Sequence, residues 1–466
     1  MTANSNLGRR GFLGMAAAGA GGLSLAGLVA APIEDQVAYA SQKVSKTSSP
    51  SDLRITDMRT VTLRGVPFRS TIIRIDTNQG IYGLGEVRDD ADRRYALLLK
   101  SRLLGQNPLN VEKLFKMLKQ FGGHGRQGGG VSAVEMALWD IAGKAYGVPV
   151  YQLLGGKYRD KVRAYADAAV STNPKTYAER LKARVKEGYT FLKMDLGIEM
   201  IQNVKGAFNG RNLWPGDLAQ YNFTPGGYGA TTHPFTRIQL TRKGLDAMAD
   251  YVETVRDVVG YGVPIGHDHM GHFGINDQIK LAQRLEEYAP AYMEDVVAWM
   301  YTEQFKQFRA ATNVPVMTGE DIYGLEPFKK LIDEQAVDIV HPDPATAGGI
   351  LETKKIGDYA EEHGVPMFLH YAGSPVGAMA AVHIAAATQN FVALENHSFE
   401  VEGWDNIING PAKPLVKDGF YTVPQGPGLG IELNEQEVKR RMDPDEGYFN
   451  PTPEWDKANS HDRIWS

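Results

Sequence analysis

The second half of the chain alternates short apolar runs with stretches of helical periodicity. Between residues 162 and 397 this pattern contains eight candidate strands: VRAYAD, TFLKMD, VPIGHDH, AYMEDV, VPVMTGE, VDIVHPD, VPMFLHY and FVALENH. Eight strands that alternate with helices favour a parallel barrel, in which chemistry occurs at the carboxyl ends of the strands. We therefore predict a TIM-like barrel over residues 161–400.

The segments around the barrel have different patterns. Residues 53–160 begin with β-rich runs, MRTVTLRG, RSTIIRID and GIYGLGE, and continue with helical periodicity, which favours an α+β domain. Residues 200–240 separate the second and third strands and are rich in Gly, Asn and aromatic residues, so we predict an insertion that covers the substrate. Residues 401–466 are predicted to form a C-terminal extension, with strand character in GFYTV.

Residues 1–40 resemble a twin-arginine export signal. LGRRGFL precedes an uncharged Gly- and Ala-rich stretch, and the sequence AYA that ends at Ala40 is a small-x-small cleavage site. The alternative, a hydrophobic membrane anchor, is disfavoured by the Gly and Ala content. We predict cleavage after Ala40, a disordered linker over residues 41–52, and a periplasmic or exported protein with no membrane attachment.

Charge and cysteine content narrow the class of partner. The formal net charge is −5, and no Lys- and Arg-rich run is present, so neither a nucleic-acid surface nor a polybasic membrane patch is indicated. The chain has no cysteine, which excludes disulfides, thiolate metal sites and cysteine nucleophiles. A small-molecule partner is therefore expected.

Three acids end consecutive candidate strands at equal intervals. Asp268, Glu294 and Glu320 are each 26 residues apart, which is about one strand-helix unit. Equivalent positions around a barrel bring their carboxylates together, and such a group repels itself unless a hard divalent cation neutralises it. All-oxygen ligation suits Mg²⁺, with Mn²⁺ as a substitute. The sequence therefore predicts a magnesium site.

The stretch PIGHDHMGHF, residues 264–273, suggests a different kind of metal site. His267, His269 and His272 suggest a His-x-His zinc motif of a metal-dependent hydrolase barrel, but that motif belongs on the first strand and this one lies on the third. Strand alternation turns His267 and His269 away from Asp268. His272 lies beyond the strand in a loop, where we predict contact with substrate.

The remaining strand ends supply further candidate catalytic groups. Asp343 and His370 end neighbouring strands, so the carboxylate can hold the imidazole and raise its basicity for proton transfer. Glu395 ends the last strand. Lys193 and Asp195 lie on the second strand and, being two residues apart, point the same way.

These motifs together resemble the enolase superfamily, in the branch of mandelate racemase, muconate lactonising enzyme and many acid-sugar dehydratases. The resemblance runs from about residue 53 to 424 and includes SAVEMALWDIAGKAYGVPVYQLLGG, the three acids, and Asp343 followed by Gly-Gly after four residues. It implies a (β/α)7β barrel with an N-terminal α+β capping domain, and a Mg²⁺ held by Asp268, Glu294 and Glu320. It also implies abstraction of the proton α to a substrate carboxylate, which gives an enediolate stabilised by the metal.

The resemblance also implies roles for the other strand-end residues. His370, oriented by Asp343, would move protons at the carbon next to the carboxylate. Lys193 would serve the substrate carboxylate, and Glu395 would hydrogen-bond to it if Glu395 is protonated. Relatives commonly assemble as homo-oligomers.

Two departures from the racemase pattern favour a lyase. The racemases have Lys-x-Lys on the second strand, whereas this chain has Lys-Met-Asp, so a two-base racemisation loses its second base at Asp195. Met270 stands where the racemase branch has Asn and where some dehydratases have a catalytic His. The second proton-transfer group therefore stays open, and the candidates are Lys193, Tyr371 or a residue of the insertion.

Substrate choice in this superfamily depends on loops of the capping domain. The candidates here are the turn after RSTIIRID and the segment FGGHGRQGGG, which carries His124 and Arg126. Arg126 is predicted to pair with a distal carboxylate of an aldarate, and a solvated loop arginine is an equal alternative. Tyr371 is a further candidate for substrate contact.

The leading prediction from the sequence is a Mg²⁺-dependent acid-sugar dehydratase, a lyase. Within the superfamily, an epimerase or a cycloisomerase of an anhydro-sugar acid is the alternative. An exported sugar-acid binding protein without activity is the alternative of another class, and the Asp343–His370 pair argues against it because binding alone does not require a dyad.

Overall fold

A computed structural model describes residues 50–209, 239–268 and 274–457. The predicted signal, most of the linker, most of the 200–240 insertion, and His269, Met270 and His272 lie outside the described residues. Within the described ranges, every helix is too short or too polar to cross a bilayer.

The N-terminal part is an antiparallel sheet covered by helices. The strands are β1 (Ile55–Leu63), β2 (Ser70–Thr77) and β3 (Tyr82–Val87), and the helices are α1 (Arg94–Leu97), α2 (Lys100–Leu103), α3 (Val111–Leu118), α4 (Gly129–Tyr146) and α5 (Val150–Leu153). Helix α4 is buried on almost every side and packs on β3. This close approach requires glycine in β3, because a Cβ at Gly83 or Gly85 would stand about 2 Å from a carbonyl oxygen of α4.

The next part is a closed barrel of parallel strands. Its strands are β4 (Lys161–Ala166), β5 (Leu192–Asp195), β8 (Ile265–Asp268), β9 (Met293–Glu294), β10 (Val316–Thr318), β11 (Ile339–Val340), β12 (Met367–Leu369) and β13 (Phe391–Asn396). Between β5 and β8 lies an antiparallel pair, β6 (Phe208–Asn209) and β7 (Gln239–Leu240). The barrel strands pair in chain order, and β13 closes the barrel against β4.

Helices connect successive barrel strands. They are α6 (Pro174–Lys186), α7 (Arg242–Val259), α8 (Ile275–Leu285), α9 (Thr302–Ala311), α10 (Leu325–Asp333), α11 (Pro344–Ala347), α12 (Ile350–Glu362) and α13 (Pro375–Ala387). The short α11 precedes α12 in the same connection, so seven connections carry a long helix and the eighth strand is followed by 3₁₀ turns. The predicted (β/α)7β barrel with a capping domain is confirmed, and each candidate strand of the sequence contributes one barrel strand.

Aromatic side chains fill the barrel interior below the strand ends. Tyr165, Phe191, Tyr292 and Phe368 are buried, and their ring centroids lie 5.2–6.1 Å apart. The Tyr165 hydroxyl lies 2.8 Å from His341 Nε2. The polar layer therefore begins directly on top of this apolar plug.

The C-terminal segment joins the capping domain to the barrel. Its strands are β14 (Ile408–Asn409), β15 (Val416–Lys417), β16 (Phe420–Thr422) and β17 (Glu432–Leu433), and its helix is α14 (Glu435–Arg441). Strand β16 confirms the strand predicted in GFYTV and pairs with β4. Arg441 donates a hydrogen bond to the Gly65 carbonyl, and the ion pair of Asp443 with Arg64 is 2.7 Å long. The loop between β1 and β2 is thereby held against the C-terminal segment at Arg441 and Asp443.

Candidate active site

Lys193 lies at the centre of a buried group of carboxylates at the mouth of the barrel. Its Nζ is 2.6 Å from Asp268 Oδ2, 2.8 Å from Glu395 Oε1 and 3.3 Å from Glu294 Oε2. Burial alone lowers the pKa of Lys193, but the three carboxylates outweigh burial and raise its pKa well above the ordinary value. Lys193 is therefore a fixed cation.

The three predicted metal ligands lie at neighbouring strand ends, and the structure adds a fourth acid. Glu294, Asp295 and Glu320 each offer a carboxylate oxygen within 4.8 Å of the others, while Asp268 lies beside them in its ion pair with Lys193. Asp295 has a left-handed φ of 46°, and its Oδ1 accepts a 2.5 Å hydrogen bond from a threonine of β10. The sharp turn after β9 lets two successive acids serve one site.

This donor set fits a divalent cation. Burial, followed by the charge of Asp268, raises the pKa of Glu294 well above its ordinary value, and burial and Glu294 do the same for Asp295. Glu294 Oε2 is fully buried and has no hydrogen bond among the described residues. Oxygen ligands of this kind suit Mg²⁺ or Mn²⁺, whose charge would remove the repulsion.

His370 and Asp343 form the predicted pair. His370 Nδ1 is 2.6 Å from Asp343 Oδ2, and its Nε2 is 3.0 Å from Glu320 Oε2. The other oxygen of Asp343 accepts a 2.6 Å hydrogen bond from the Ala345 amide at the start of α11. This helix end fixes the carboxylate, so one nitrogen of the imidazole is held and the other faces the acids.

Arg88 reaches this pair from the capping domain. It follows β3, its side chain is 1% exposed, and its Nη1 lies 2.6 Å from Asp343 Oδ2 and 3.0 Å from His370 Nδ1. The same nitrogen lies 2.6 Å from Asp89 Oδ1. Arg88 of the capping domain therefore contacts both members of the dyad. The sequence reasoning predicted the dyad but missed Arg88.

Burial opposes the predicted increase in the basicity of His370. Burial lowers the pKa of His370 to about 3. The charge of Glu320 opposes this shift, and the Arg88 guanidinium adds to it. Burial also raises the pKa of Asp343 to about 6, although Arg88 opposes it. The imidazole is neutral at neutral pH, and this is the form that accepts a proton.

Glu395 is charged, whereas its predicted hydrogen bond to the substrate carboxylate requires a protonated Glu395. Burial alone would raise its pKa, but Lys193 and then His370 hold the pKa of Glu395 well below its ordinary value. A carboxylate cannot donate a hydrogen bond to a substrate carboxylate. Its Oε1 instead lies 3.2 Å from His397 Nε2, and its Oε2 lies 3.6 Å from His370 Nε2.

His341 is a second residue that the sequence reasoning missed. Its Nδ1 lies 2.6 Å from Glu294 Oε1, and burial lowers its pKa to about 4. It bridges the acids to Tyr165 at the top of the aromatic plug. A signal was present, because His341 precedes Asp343 by two residues and strand alternation places both on one face.

A cavity of about 930 Å³ opens beside these groups. Asp167, Asp195 and His397 line it at the strand ends, and residues 65–68 line it from the capping domain. We predicted that the turn after RSTIIRID contributes to substrate choice, but it is the loop before that strand that lines the cavity. In an antiparallel sheet successive turns lie at opposite ends, and the β1–β2 turn faces the barrel.

The predicted substrate residues of the FGGHGRQGGG segment lie on the other side of the mouth. The His124 ring centroid is 4.4 Å from that of Trp299, and its Nδ1 accepts a 3.1 Å hydrogen bond from the Tyr323 amide. Arg126 Nη2 is 3.0 Å from Asp89 Oδ2, and the Arg126 side chain is 40% exposed. Arg126 thus pairs with a carboxylate of the protein itself.

Tyr371 is directed away from the acids. Its hydroxyl lies 2.8 Å from Glu86 Oε2 and 2.6 Å from the Ser374 carbonyl oxygen, and it can donate its proton to either acceptor. It is buried between β3 and α13, where it joins the capping sheet to the barrel. This placement contradicts the predicted contact with substrate.

Comparison with known proteins agrees with this architecture. The family model described as mandelate racemase / muconate lactonizing enzyme, N-terminal domain, matches residues 29–155, and the model described as enolase C-terminal domain-like matches residues 176–437. A D-xylonate dehydratase from Haloferax volcanii is 32% identical over 411 residues, which cover 86% of this chain and 91% of the relative.

Two further relatives extend the comparison. The D-galactonate dehydratase family member RspA from Pantoea ananatis is 30% identical over 433 residues, covering 89% of this chain and 99% of the relative. The crystal structure of a mandelate racemase/muconate lactonizing enzyme-like protein from Rubrobacter xylanophilus matches with a TM-score of 0.74 at 28% identity, covering 86% of this chain and 100% of that one.

The capped barrel with its acidic mouth defines an enzyme of the enolase superfamily. Members of this superfamily bind a divalent metal, and the acid cluster can hold one. The chain belongs to the mandelate racemase / muconate lactonizing enzyme branch, as its resemblance predicted. The dehydratase relatives make it a lyase of the hydro-lyase class.

Proposed function

We propose that this protein is an exported, Mg²⁺-dependent acid-sugar dehydratase. The observation that carries the proposal is the position of His370, held by Asp343 on one nitrogen and facing the acid cluster with the other. The D-xylonate and D-galactonate dehydratase names of its relatives support a sugar acid as the substrate class.

The substrate would carry hydroxyl groups on the carbons α and β to its carboxylate. His370 Nε2 accepts the α proton, since a neutral imidazole lies at the acid cluster where the carboxylate binds. The electron pair of the broken C–H bond first passes into the carboxylate as an enediolate, and it then forms a C=C bond as the β C–O bond breaks and the departing oxygen takes up a proton. Water leaves, and the resulting enol tautomerises to a 2-keto-3-deoxy acid.

The charge of the substrate is balanced by fixed cations. Lys193 attracts the carboxylate and stabilises the additional negative charge that develops as the proton leaves. A divalent cation held by Asp268, Glu294 and Glu320 would supply the same stabilisation more strongly when bound. Buried surroundings increase both effects, because the local dielectric constant is low.

The test is turnover of a panel of sugar acids in deuterated water with Mg²⁺. We expect a 2-keto-3-deoxy product, no turnover after EDTA treatment, and recovery on addition of Mg²⁺ or Mn²⁺. Deuterium uptake without loss of water would instead identify an epimerase, and the absence of both reactions would identify a binding protein. His370→Asn should abolish turnover while metal binding persists, with His363→Asn, an exposed histidine directly after α12, as the control.

Export and assembly are tested separately. Replacement of Arg9 and Arg10 by lysine should retain the protein in the cytoplasm, whereas the parent chain should appear in the periplasmic fraction. We also propose a homo-oligomer, which light scattering after gel filtration would reveal. A cytoplasmic parent chain or a monomer would contradict the respective proposal.

A further inference from the structure

His397 lies at the boundary between the acid cluster and the cavity. It follows β13, its side chain is 20% exposed, and it forms part of the cavity wall. Its Nε2 is 3.2 Å from Glu395 Oε1, and its Nδ1 is 3.6 Å from Asp167 Oδ2. The Phe68 ring of the capping loop lies 6.3 Å from it, centroid to centroid. The imidazole is therefore both anchored and accessible from the cavity.

Glu395 separates two imidazoles. Its Oε2 faces His370 and its Oε1 faces His397, at the distances given above, and Lys193 also contacts Oε1. A substrate whose carboxylate lies at the acid cluster and whose hydroxyl tail extends into the cavity would run alongside Glu395, from the His370 ring toward the His397 ring. On this path His370 would lie on the side of the α carbon and His397 on the side of the hydroxyl tail.

The charges around His397 keep it protonated. Burial lowers its pKa, but Asp167 and Glu395 outweigh burial and raise the pKa of His397 to about 9, although Lys193 opposes them. The other ionisable groups of the cavity wall are Asp195, Glu402, Glu437, Arg440 and Arg441. His397 is thus a cationic proton donor at neutral pH, in contrast to the neutral His370.

The other candidates for a second proton-transfer group are less well placed. The Tyr371 hydroxyl is bound to Glu86, and Lys193 is held in ion pairs with three carboxylates. His397 Nε2 is held by Glu395, whereas the distance from Nδ1 to Asp167 is longer than a hydrogen bond. The Nδ1 proton is therefore the one that a substrate hydroxyl can take.

We propose that His397 is the general acid that protonates the departing β-hydroxyl group. The inference rests on the proposed dehydratase function. As the β C–O bond breaks, the oxygen takes its electron pair and the Nδ1 proton, and it leaves as water. Asp167 and Glu395 position the ring, and solvent in the cavity returns the proton to the neutral imidazole.

The test separates proton abstraction from loss of water. In deuterated water, His397→Gln should lose about 10²–10⁴-fold in the dehydration rate, the usual contribution of a general acid. The unreacted substrate should still take up deuterium at the α carbon, because His370 is intact. His370→Asn should lose both reactions, and His363→Gln, at the exposed residue directly after α12, should retain both.

The outcomes distinguish this inference from the proposed function. If the parent enzyme dehydrates no sugar acid, the proposed function fails. If the parent enzyme turns over and His397→Gln dehydrates at the same rate, or loses deuterium uptake and dehydration equally while thermal unfolding shows it folded, the assignment of His397 is overturned.

A second variant tests the same assignment without removing the imidazole. For the parent enzyme, kcat/KM should fall as the pH rises through about 9 and His397 loses its proton. Asp167→Asn removes a negative charge that raises this pKa, so the alkaline limb should move to lower pH by about one unit. An unmoved limb would overturn the assignment.

Discussion

Replacement of Arg88 by methionine tests whether the capping domain supports the dyad directly. The change removes a guanidinium that lies 2.6 Å from both Asp343 and Asp89, whose side chains are 1% and 4% exposed. Breaking a buried ion pair by removing one partner costs about 3–5 kcal/mol of the free energy of unfolding. We expect a loss of that size in urea-induced unfolding.

The same substitution should slow catalysis without weakening substrate binding. Without the guanidinium, the pKa of Asp343 rises further, so Asp343 is protonated at neutral pH and no longer holds His370 as an anion. Arg88 is a positioning residue, and kcat should fall by about 10²-fold, the low end for a disturbed general base, while KM changes little. Arg88→Lys should recover part of the loss.

Arg126→Met is the matched control for stability, since Arg126 contacts the same Asp89 but is 40% exposed. Its loss should cost about 0–1 kcal/mol, as for other surface ion pairs. Equal unfolding free energies of the two variants, or an unchanged kcat in folded Arg88→Met, would refute the reasoning.

Three further predictions concern protons, the metal and the domain contact. Burial lowers the pKa of His383 to about 4, so its contribution to stability should be lost as the pH falls from 6.5 through 4. Urea unfolding at each pH should show that the free energy of unfolding falls by roughly 3 kcal/mol less over this range in His383→Gln than in the parent protein. Mg²⁺ at a hundredfold excess over its Kd should stabilise the protein by about 2.7 kcal/mol, and Glu294→Gln should weaken this in a thermal-shift titration. Tyr371→Phe removes the hydrogen bond to Glu86 and should cost about 1–3 kcal/mol with KM unchanged, whereas a raised KM would restore the role in substrate binding that the sequence suggested.

The barrel could be predicted because its determinants are local. Each strand is a short apolar run bounded by polar turns, and the equal spacing of Asp268, Glu294 and Glu320 reflects a repeated strand-helix unit. Strand alternation further implied that Lys193 and Asp195 share a face, and the structure places Lys193 among the acids and Asp195 in the cavity wall beside them. These inferences need only the periodicity of apolar and polar residues along the sequence.

The contacts between the domains could not be predicted in this way. Arg88 lies 255 residues before Asp343, and no periodicity shows that the end of β3 enters the mouth of the barrel. The charge states of His370 and Glu395 could not be predicted either, because burial and the neighbouring Arg88 and Lys193 decide them. A pKa depends on the whole surroundings of a group, whereas a motif lists its partners only in part.

The balance of charge at the barrel mouth connects stability to catalysis. Carboxylates outnumber the permanent cations Lys193 and Arg88 among the groups described there, which are the buried Asp268, Glu294, Asp343 and Glu395 and the half-buried Asp295. Such an excess is unfavourable in a folded protein unless a divalent cation or protons compensate it. The metal should therefore raise the free energy of unfolding as well as the rate, because an ion that binds only the folded protein stabilises it. The His370→Asn variant can separate the two effects, because Mg²⁺ should stabilise it although no turnover is expected.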